Sequence, residues 1–331
     1  MPPATPANRR PAFQRLHYET ELKITVARLL ASAADTIIVV DNASGDDTPD
    51  WLAAQTDPRL HVVTLDDNMG GAGGFEAGMA YARDTLDPDW VVLMDDDARP
   101  VAGALREFRA QIVKIDPNKG KIGCVAAAVF YPNGTLCEMN RPSRNPFWNL
   151  GLFAKTLFKG TRAGFHMSDA DFEPDAGNKQ IDVASFVGYF VSRDAIQQAG
   201  LPEGGLFIYG DDVLYSLRLR RAGIVMLLMP SVRFEHDCGT MGQGFIYRPL
   251  WKIYYHCRNG VSIARQAAGP LIFPAALLWY VTIWWRRGRH YAAHERALYR
   301  HMMCAGLRDG LLRRRGRNDL IHQLAAVDKA P

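Results

Sequence analysis

The sequence has no Cys-x-x-Cys pair, no internal repeat and no strong charge of one sign. Its five cysteines, Cys124, Cys137, Cys238, Cys257 and Cys304, are scattered and odd in number. That spacing argues against a zinc ribbon and against a disulfide scaffold. A reducing, cytoplasmic environment fits such cysteine usage. The first residues are polar and rich in proline, without the apolar core of a signal peptide. The formal net charge is only +4, so nothing global calls for nucleic acid, and no such partner is expected.

The 331 residues are 48% hydrophobic and 22% charged, which predicts a sizeable buried core. Basic residues are uneven: Arg286 to Arg317 holds ten arginines against Glu295 and Asp309. Just before them, Leu271 to Trp285 is apolar except for Thr282. It falls short of the roughly 20 residues that cross a bilayer. Two readings stand for it: an interfacial helix with a basic flank, or a helix buried in a C-terminal bundle. On the first reading, residues 267–317 make a peripheral contact with the inner face of the cytoplasmic membrane.

Residues 1–15 read as an extended arm, with prolines at 2, 3, 6 and 11. Leu22, Val26, Leu29, Leu30 and Ala33 then follow helical spacing. Three short strands come next: Thr36 to Val40, Leu60 to Leu65, and Trp90 to Met94. Further strands are expected at Ile122 to Phe130, Val183 to Ser192, and Ile224 to Met229, the last ended by Pro230. Residues 141–180 are an irregular aromatic stretch, functional or disordered by its length. Trp148 and Phe147 within it could stack on a sugar, although buried aromatics are the simpler reading. Strands alternating with helices predict an α/β fold with a mostly parallel sheet and a helical C-terminal extension. The expected units are the arm (1–15), an α/β domain (16–260) and a basic helical region (261–331).

In such sheets ligands bind beyond the carboxyl ends of the strands. Asp41, the glycines near residue 70 and the triplet Asp95-Asp96-Asp97 all fall on that edge. Alternate residues of an extended chain face one side, so Asp95 and Asp97 can converge. Two carboxylates that close repel unless a cation sits between them. Oxygen ligands suit Mg2+ or Mn2+; the plain alternative is an acidic turn. Asn68-Met69-Gly70-Gly71-Ala72-Gly73-Gly74 lets backbone approach a ligand at the start of a helix. No Lys-Ser or Lys-Thr pair follows, so it is not a P-loop. Asp211 and Asp212 open another helix, either as acids favoured by its dipole or as a general base. His236 is either a structural histidine or a third metal ligand from a separate strand.

In this order, the pieces from about Val26 to Asn259 resemble family 2 glycosyltransferases with the GT-A fold. They are Val39-Val40-Asp41-Asn42-Ala43-Ser44, the Asn68 to Gly74 loop, Met94 to Asp97, Gly188 to Arg193, Tyr209 to Asp212, Phe234-Glu235-His236 and Tyr254 to Asn259. Within the family the chain looks most like bacterial galactofuranosyltransferases and rhamnosyltransferases of cell-surface polysaccharide assembly.

The resemblance implies roles. Asp41, Asn68, Gly70, Gly71, Gly73 and Gly74 would bind the nucleotide sugar, with Asp95 and Asp96. Asp95, Asp97 and His236 would hold the Mn2+ or Mg2+. Asp212 would be the base, with Asp211 beside it on the acceptor. The implied reaction inverts a sugar from a UDP- or dTDP-linked donor onto a hydroxyl of a glycan or lipid-linked acceptor. Family members normally begin with a strand of the type Val-Val-Val-Thr-x-Asn-Arg; here Asn8-Arg9 has no apolar strand before it. That departure leaves room for a degenerate homologue that only binds carbohydrate or a partner. A nucleotidyltransferase also uses a carboxylate pair and Mg2+, but the basic, glycine-rich N-terminal loop expected of one is missing.

Overall fold

The computed structural model describes residues 12–115, 122–159, 164–238 and 246–327. The sequence Ile-Gly-Cys-Val-Ala-Ala-Ala-Val-Phe makes the central strand β5 (Ile122–Phe130) in the chain order given below. It is apolar at every position because both of its faces are covered. Cys124, Ala126 and Ala128 pack on one side with Tyr189, Tyr215 and Met226. Val125, Ala127 and Val129 pack on the other with Phe108, Phe190 and Phe234.

Helix α1 (Ala12–Leu30) leads to β1 (Ile37–Asp41), α2 (Thr48–Ala53), β2 (Leu60–Thr64) and α3 (Gly70–Tyr81). Next come β3 (Trp90–Leu93), β4 (Ala98–Pro100), α4 (Ala104–Ile112), β5, α5 (Leu150–Lys159) and β6 (Lys179–Ile181). β7 (Tyr189–Ser192), α6 (Arg193–Ala199), α7 (Asp211–Arg221) and β8 (Val225–His236) complete the α/β part. The C-terminal helices are α8 (Trp251–Arg287), α9 (Arg296–Leu311) and α10 (Asp319–Val327). The α/β class and the helical extension are those expected from the sequence.

The sheet departs from the expected mostly parallel order. β1 and β2 form a separate parallel pair. The larger sheet runs β3-β7-β5-β8-β4, with β6 also on β8. Within it only β5 and β8 are parallel, and the other pairs are antiparallel. The reason is β7, which is buried on both sides and so reads like a parallel strand, yet runs backwards between β3 and β5.

Several boundaries move. The strand expected from Val183 begins only at Tyr189. β8 passes through Pro230 and ends on His236. Its pairing with β5 shifts register between Met229 and Arg233, so the missing amide of Pro230 sits at an irregularity. Helix α1 starts at Ala12, inside the expected arm, and residues 1–11 lie outside the described residues.

Helix α8 crosses the expected boundary at 260/261, and its backbone breaks at Gly269 (φ 71°). Its first half is buried, including Ile253, Tyr254, Cys257 and Arg258. The second half meets both sequence readings in part: Trp284 is buried and Phe273, Leu277, Tyr280 and Val281 pack with it into the C-terminal helices, while on the other face Leu271 is 94% and Leu278 69% exposed, with Trp279 and Trp285 also open. Among the described residues this is the one helix long and apolar enough to cross a membrane.

Candidate functional site

A cleft of about 1370 Å3 opens along the carboxyl ends of β1 and β3. Asp41, Asn42, Asn68, Gly70, Gly71, Gly74, Asp95 and Asp96 all line it. Seven of the sequence-predicted nucleotide-binding residues are thus brought together. The eighth, Gly73, is buried in the first turn of α3 with no lining role; a Cβ there would strike Met69. Phe147 and Trp148 do not line this cleft.

The wall of the cleft along β1 and the glycine loop is built by hydrogen bonds. Asp41, the last residue of β1, accepts from the amide of Ser44 at 3.0 Å and fixes the turn. Asn42 accepts from the amide of Met69 at 2.8 Å and donates to the carbonyl of Gly70 at 2.8 Å. It ties the glycine loop to β1. Asn68 accepts from the amide of Gly70 at 2.9 Å and so closes a side-chain turn just ahead of α3. Gly70 has φ +71°, and a Cβ there would collide with the carbonyl oxygen of Phe207, so only glycine fits.

The acidic end is made by strand pairing. β4 runs antiparallel to β8, with Ala98 opposite His236. The amide of Asp237 donates to the carbonyl of Asp97 at 2.9 Å. The histidine Nε2 therefore lies 3.1 Å from an Asp97 oxygen. One ligand atom from each of Asp95, Asp97 and His236 falls within 4.8 Å of the others. Two oxygens and an imidazole nitrogen in that space fit Mn2+ or Mg2+.

On its other side, His236 Nδ1 lies 2.7 Å from Asn140 Oδ1. The amide nitrogen of Asn140 donates to Ser185 Oγ at 2.8 Å, so its oxygen faces the ring and accepts the Nδ1 proton. That contact holds the ring with Nε2 toward Asp97. Asn140 was not predicted: it sits in an irregular stretch with no motif to mark it. Asn42 was visible beside Asp41 but had no assigned role.

Asp211 and Asp212 stand at the first turn of α7, near enough for their charges and that of Asp95 to act on one another. Burial raises the pKa of both, and for Asp212 the charges of Asp211 and Asp95 add to the rise. Asp95 opens toward the cleft, but the surrounding protein takes bulk water from it and pushes its pKa up to about 7. The charge of His236 opposes that shift, while Asp97, Asp96 and Asp211 reinforce it. For His236 burial disfavours the charge, yet the hydrogen bonds to Asp97 and Cys238 win and lift its pKa to about 10.

These shifts set a pH dependence. In the metal-free protein His236 holds its proton up to about pH 10, and Asp95 up to about pH 7. Both must lose it to act as ligands, so cation binding releases protons and tightens as pH rises. Mn2+ affinity should climb by up to ~100-fold per unit below about pH 7 and ~10-fold per unit above it. A Mn2+ titration followed by the signal of the free ion checks this. A flat profile removes Asp95 and His236 from the ligand set.

Residues 11–162 match the model of glycosyl transferase family 2. Over 208 residues the chain is 27% identical to galactofuranosyltransferase GlfT1 of Mycolicibacterium smegmatis, covering 62% of each protein. Over 247 residues it is 22% identical to dTDP-rhamnosyl transferase RfbF of Shigella flexneri, covering 71% of this chain and 73% of that protein. The chain thus spans about 62% of the length of the mycobacterial relative it matches. A crystal structure of GalNAc-T7 with UDP, GalNAc and Mn2+ aligns at TM-score 0.49 and 13% identity, over 73% of this chain and 48% of that one.

Proposed function

Since residues 11–162 carry a glycosyl transferase family 2 domain, we propose that this chain moves galactofuranose or rhamnose from a UDP- or dTDP-linked donor to a hydroxyl of a glycan or lipid-linked acceptor. The transfer inverts the anomeric carbon. The observation that carries the reading is the meeting of Asp95, Asp97 and His236 beside the cleft, within electrostatic reach of Asp211 and Asp212.

The division of labour proposed is the one the family resemblance implies, and the residues' placement supports it. Asp41 and the loop of Asn68, Gly70 and Gly71 hold the nucleotide along β1 and the start of α3. Asp95, Asp97 and His236 would hold a divalent cation, which would supply positive charge near the departing diphosphate. Asp212 takes the proton of the acceptor hydroxyl as its oxygen attacks the anomeric carbon. Its raised pKa makes it a stronger base than an exposed carboxylate. Asp211 orients the acceptor beside it. The attack comes from the face opposite the leaving nucleotide, so one base suffices and no covalent intermediate forms.

The first test is thermal stabilisation by UDP, dTDP and GDP, each with and without Mn2+. Binding to the native state raises the melting temperature. A shift with one nucleotide that needs Mn2+ is expected, and it names the donor class. No shift with any of the three overturns the reading.

A second reading, a chain that binds without turnover, draws on one observation. The cleft continues between β1 and β3, touching every residue from Ile37 to Asp41 and from Trp90 to Met94. Successive residues of a strand face opposite sides. A cavity that meets all of them therefore lies in the plane of the sheet, along two edges that no described residue pairs. Metal-dependent nucleotide binding without transfer would favour this reading.

The open face of the second half of α8, with Arg286, Arg287 and Arg289 at its end, supports work against the cytoplasmic face of an anionic membrane. Flotation with anionic liposomes at low salt should carry the chain upward; a fully soluble fraction counts against it.

A further inference from the structure

The C-terminal helices do more than flank the cleft. Trp251, Arg317 and His322 line it, beside Gly70, Gly71 and Phe207. Phe207 is the hinge of this arrangement. Its carbonyl accepts from the amide of Ala72 at 3.1 Å, which seats it against the start of α3. Its ring lies 5.7 Å from the ring of His322 and 6.0 Å from the Arg317 guanidinium. One aromatic ring thus separates the glycine loop from a cation and an imidazole contributed by a distant part of the chain.

Hydrogen bonds hold the His322 ring from one side. The amide of Asn318 donates to the Tyr255 hydroxyl oxygen at 2.9 Å. The same hydroxyl shares a hydrogen bond with His322 Nε2, 3.1 Å away. In the tautomer in which Tyr255 donates that bond, the neutral ring carries its proton on Nδ1. Nδ1 is buried and has no hydrogen-bond partner. A buried polar nitrogen left unsatisfied is costly and calls for a partner. Burial, and secondarily Arg317, depresses the His322 pKa to about 4, which keeps the ring neutral. Arg317 is 42% exposed, and its ion pair at 2.8 Å is with Asp319, itself 71% exposed. Such a surface pair is weak and readily exchanged for a stronger anion. A guanidinium fork is suited to phosphate oxygens.

We propose that Arg317 and His322 form a clamp for the diphosphate of the bound nucleotide, at the end of the cleft bounded by Phe207 and Gly71. The proposal rests on the donor reading above. It assigns the C-terminal region a direct part in holding the leaving group.

The test is titration calorimetry on the full chain with Mn2+. UDP, dTDP and GDP are screened on the wild type, and the one that binds is compared with its nucleoside. Arg317→Ala should weaken the nucleoside diphosphate at least tenfold and leave the nucleoside within twofold. Arg317→Lys, which keeps the charge but not the fork, should fall between. His322→Phe, which keeps the ring packing on Trp251 and loses the donor, should weaken the diphosphate about threefold. Equal diphosphate affinity in wild type and Arg317→Ala overturns the clamp and leaves the donor reading standing. An equal loss for nucleoside and diphosphate also overturns it. If the wild type binds none of the three diphosphates, the donor reading fails, and the clamp fails with it.

Discussion

Asp212→Asn should lower sugar transfer by about 10^3-fold while nucleotide binding with Mn2+ stays close to wild type. General-base removal costs about 10^2 to 10^4 in rate. The amide has nearly the shape of the carboxylate and still accepts the 2.7 Å hydrogen bond from the Val213 amide, so the helix start survives. What it loses is the ability to take a proton. Removing one of two neighbouring carboxylates also relieves the repulsion that raises the Asp212 pKa. The variant should therefore be no less stable than the wild type. Steady-state transfer assays alongside thermal melts read both quantities. Full activity in Asp212→Asn would move the base elsewhere, with Asp211 the next to test.

Asn259→Leu should cost about 3 kcal/mol of stability and most of the activity. The loop before the two acids is strained. Phe207 (φ 66°, ψ −60°) has the dihedrals of a γ-turn, closed by the Ile208 amide on the Leu206 carbonyl at 2.8 Å. Tyr209 also has positive φ, at 68°. Non-glycine residues hold such angles only when the surroundings impose them. Asn259 does so here. Its side-chain nitrogen lies 3.1, 2.8 and 2.8 Å from the carbonyls of Leu206, Ile208 and Tyr209. Arg258 adds a 2.7 Å bond to the Leu206 carbonyl and holds the amide of Asn259 in place from its Nε at 2.9 Å. Leucine keeps the volume but strands the carbonyls of Ile208 and Tyr209 and frees the loop to relax. Chemical denaturation gives the stability change. A variant that melts normally yet loses transfer would show that the strain serves positioning alone.

Much of the donor side was legible because its signals are local. The apolar run before the acidic triplet announces the strand that delivers it, but β3 stops at Leu93 and a turn at Asp96 and Asp97, not a continued period of two, brings Asp95 and Asp97 together. The glycines around residue 70 announce a close backbone approach, and Gly70 meets one against Phe207. His236 was a different case. It lies 139 positions after Asp97, and only the antiparallel pairing of β4 with β8 joins them. No spacing rule carries that distance; the resemblance did. Pro230 misled because a proline usually ends a strand, whereas here a register shift absorbs its missing donor. Asn140, Arg317 and His322 were unreadable for a common reason. Each owes its place to a fold-back of the chain, and its neighbours in sequence have no part in the cleft.

The separate β1–β2 pair has a mechanical consequence. Asp41 ends a strand of that small sheet, Asp95 lies in the turn between β3 and β4 of the large one, and among the described residues no ladder of hydrogen bonds joins the two sheets. A ligand that grips both at once acts as mortar across a seam. Part of its binding free energy becomes cohesion between two blocks that otherwise meet through α3, the Asn42 contacts and side-chain packing.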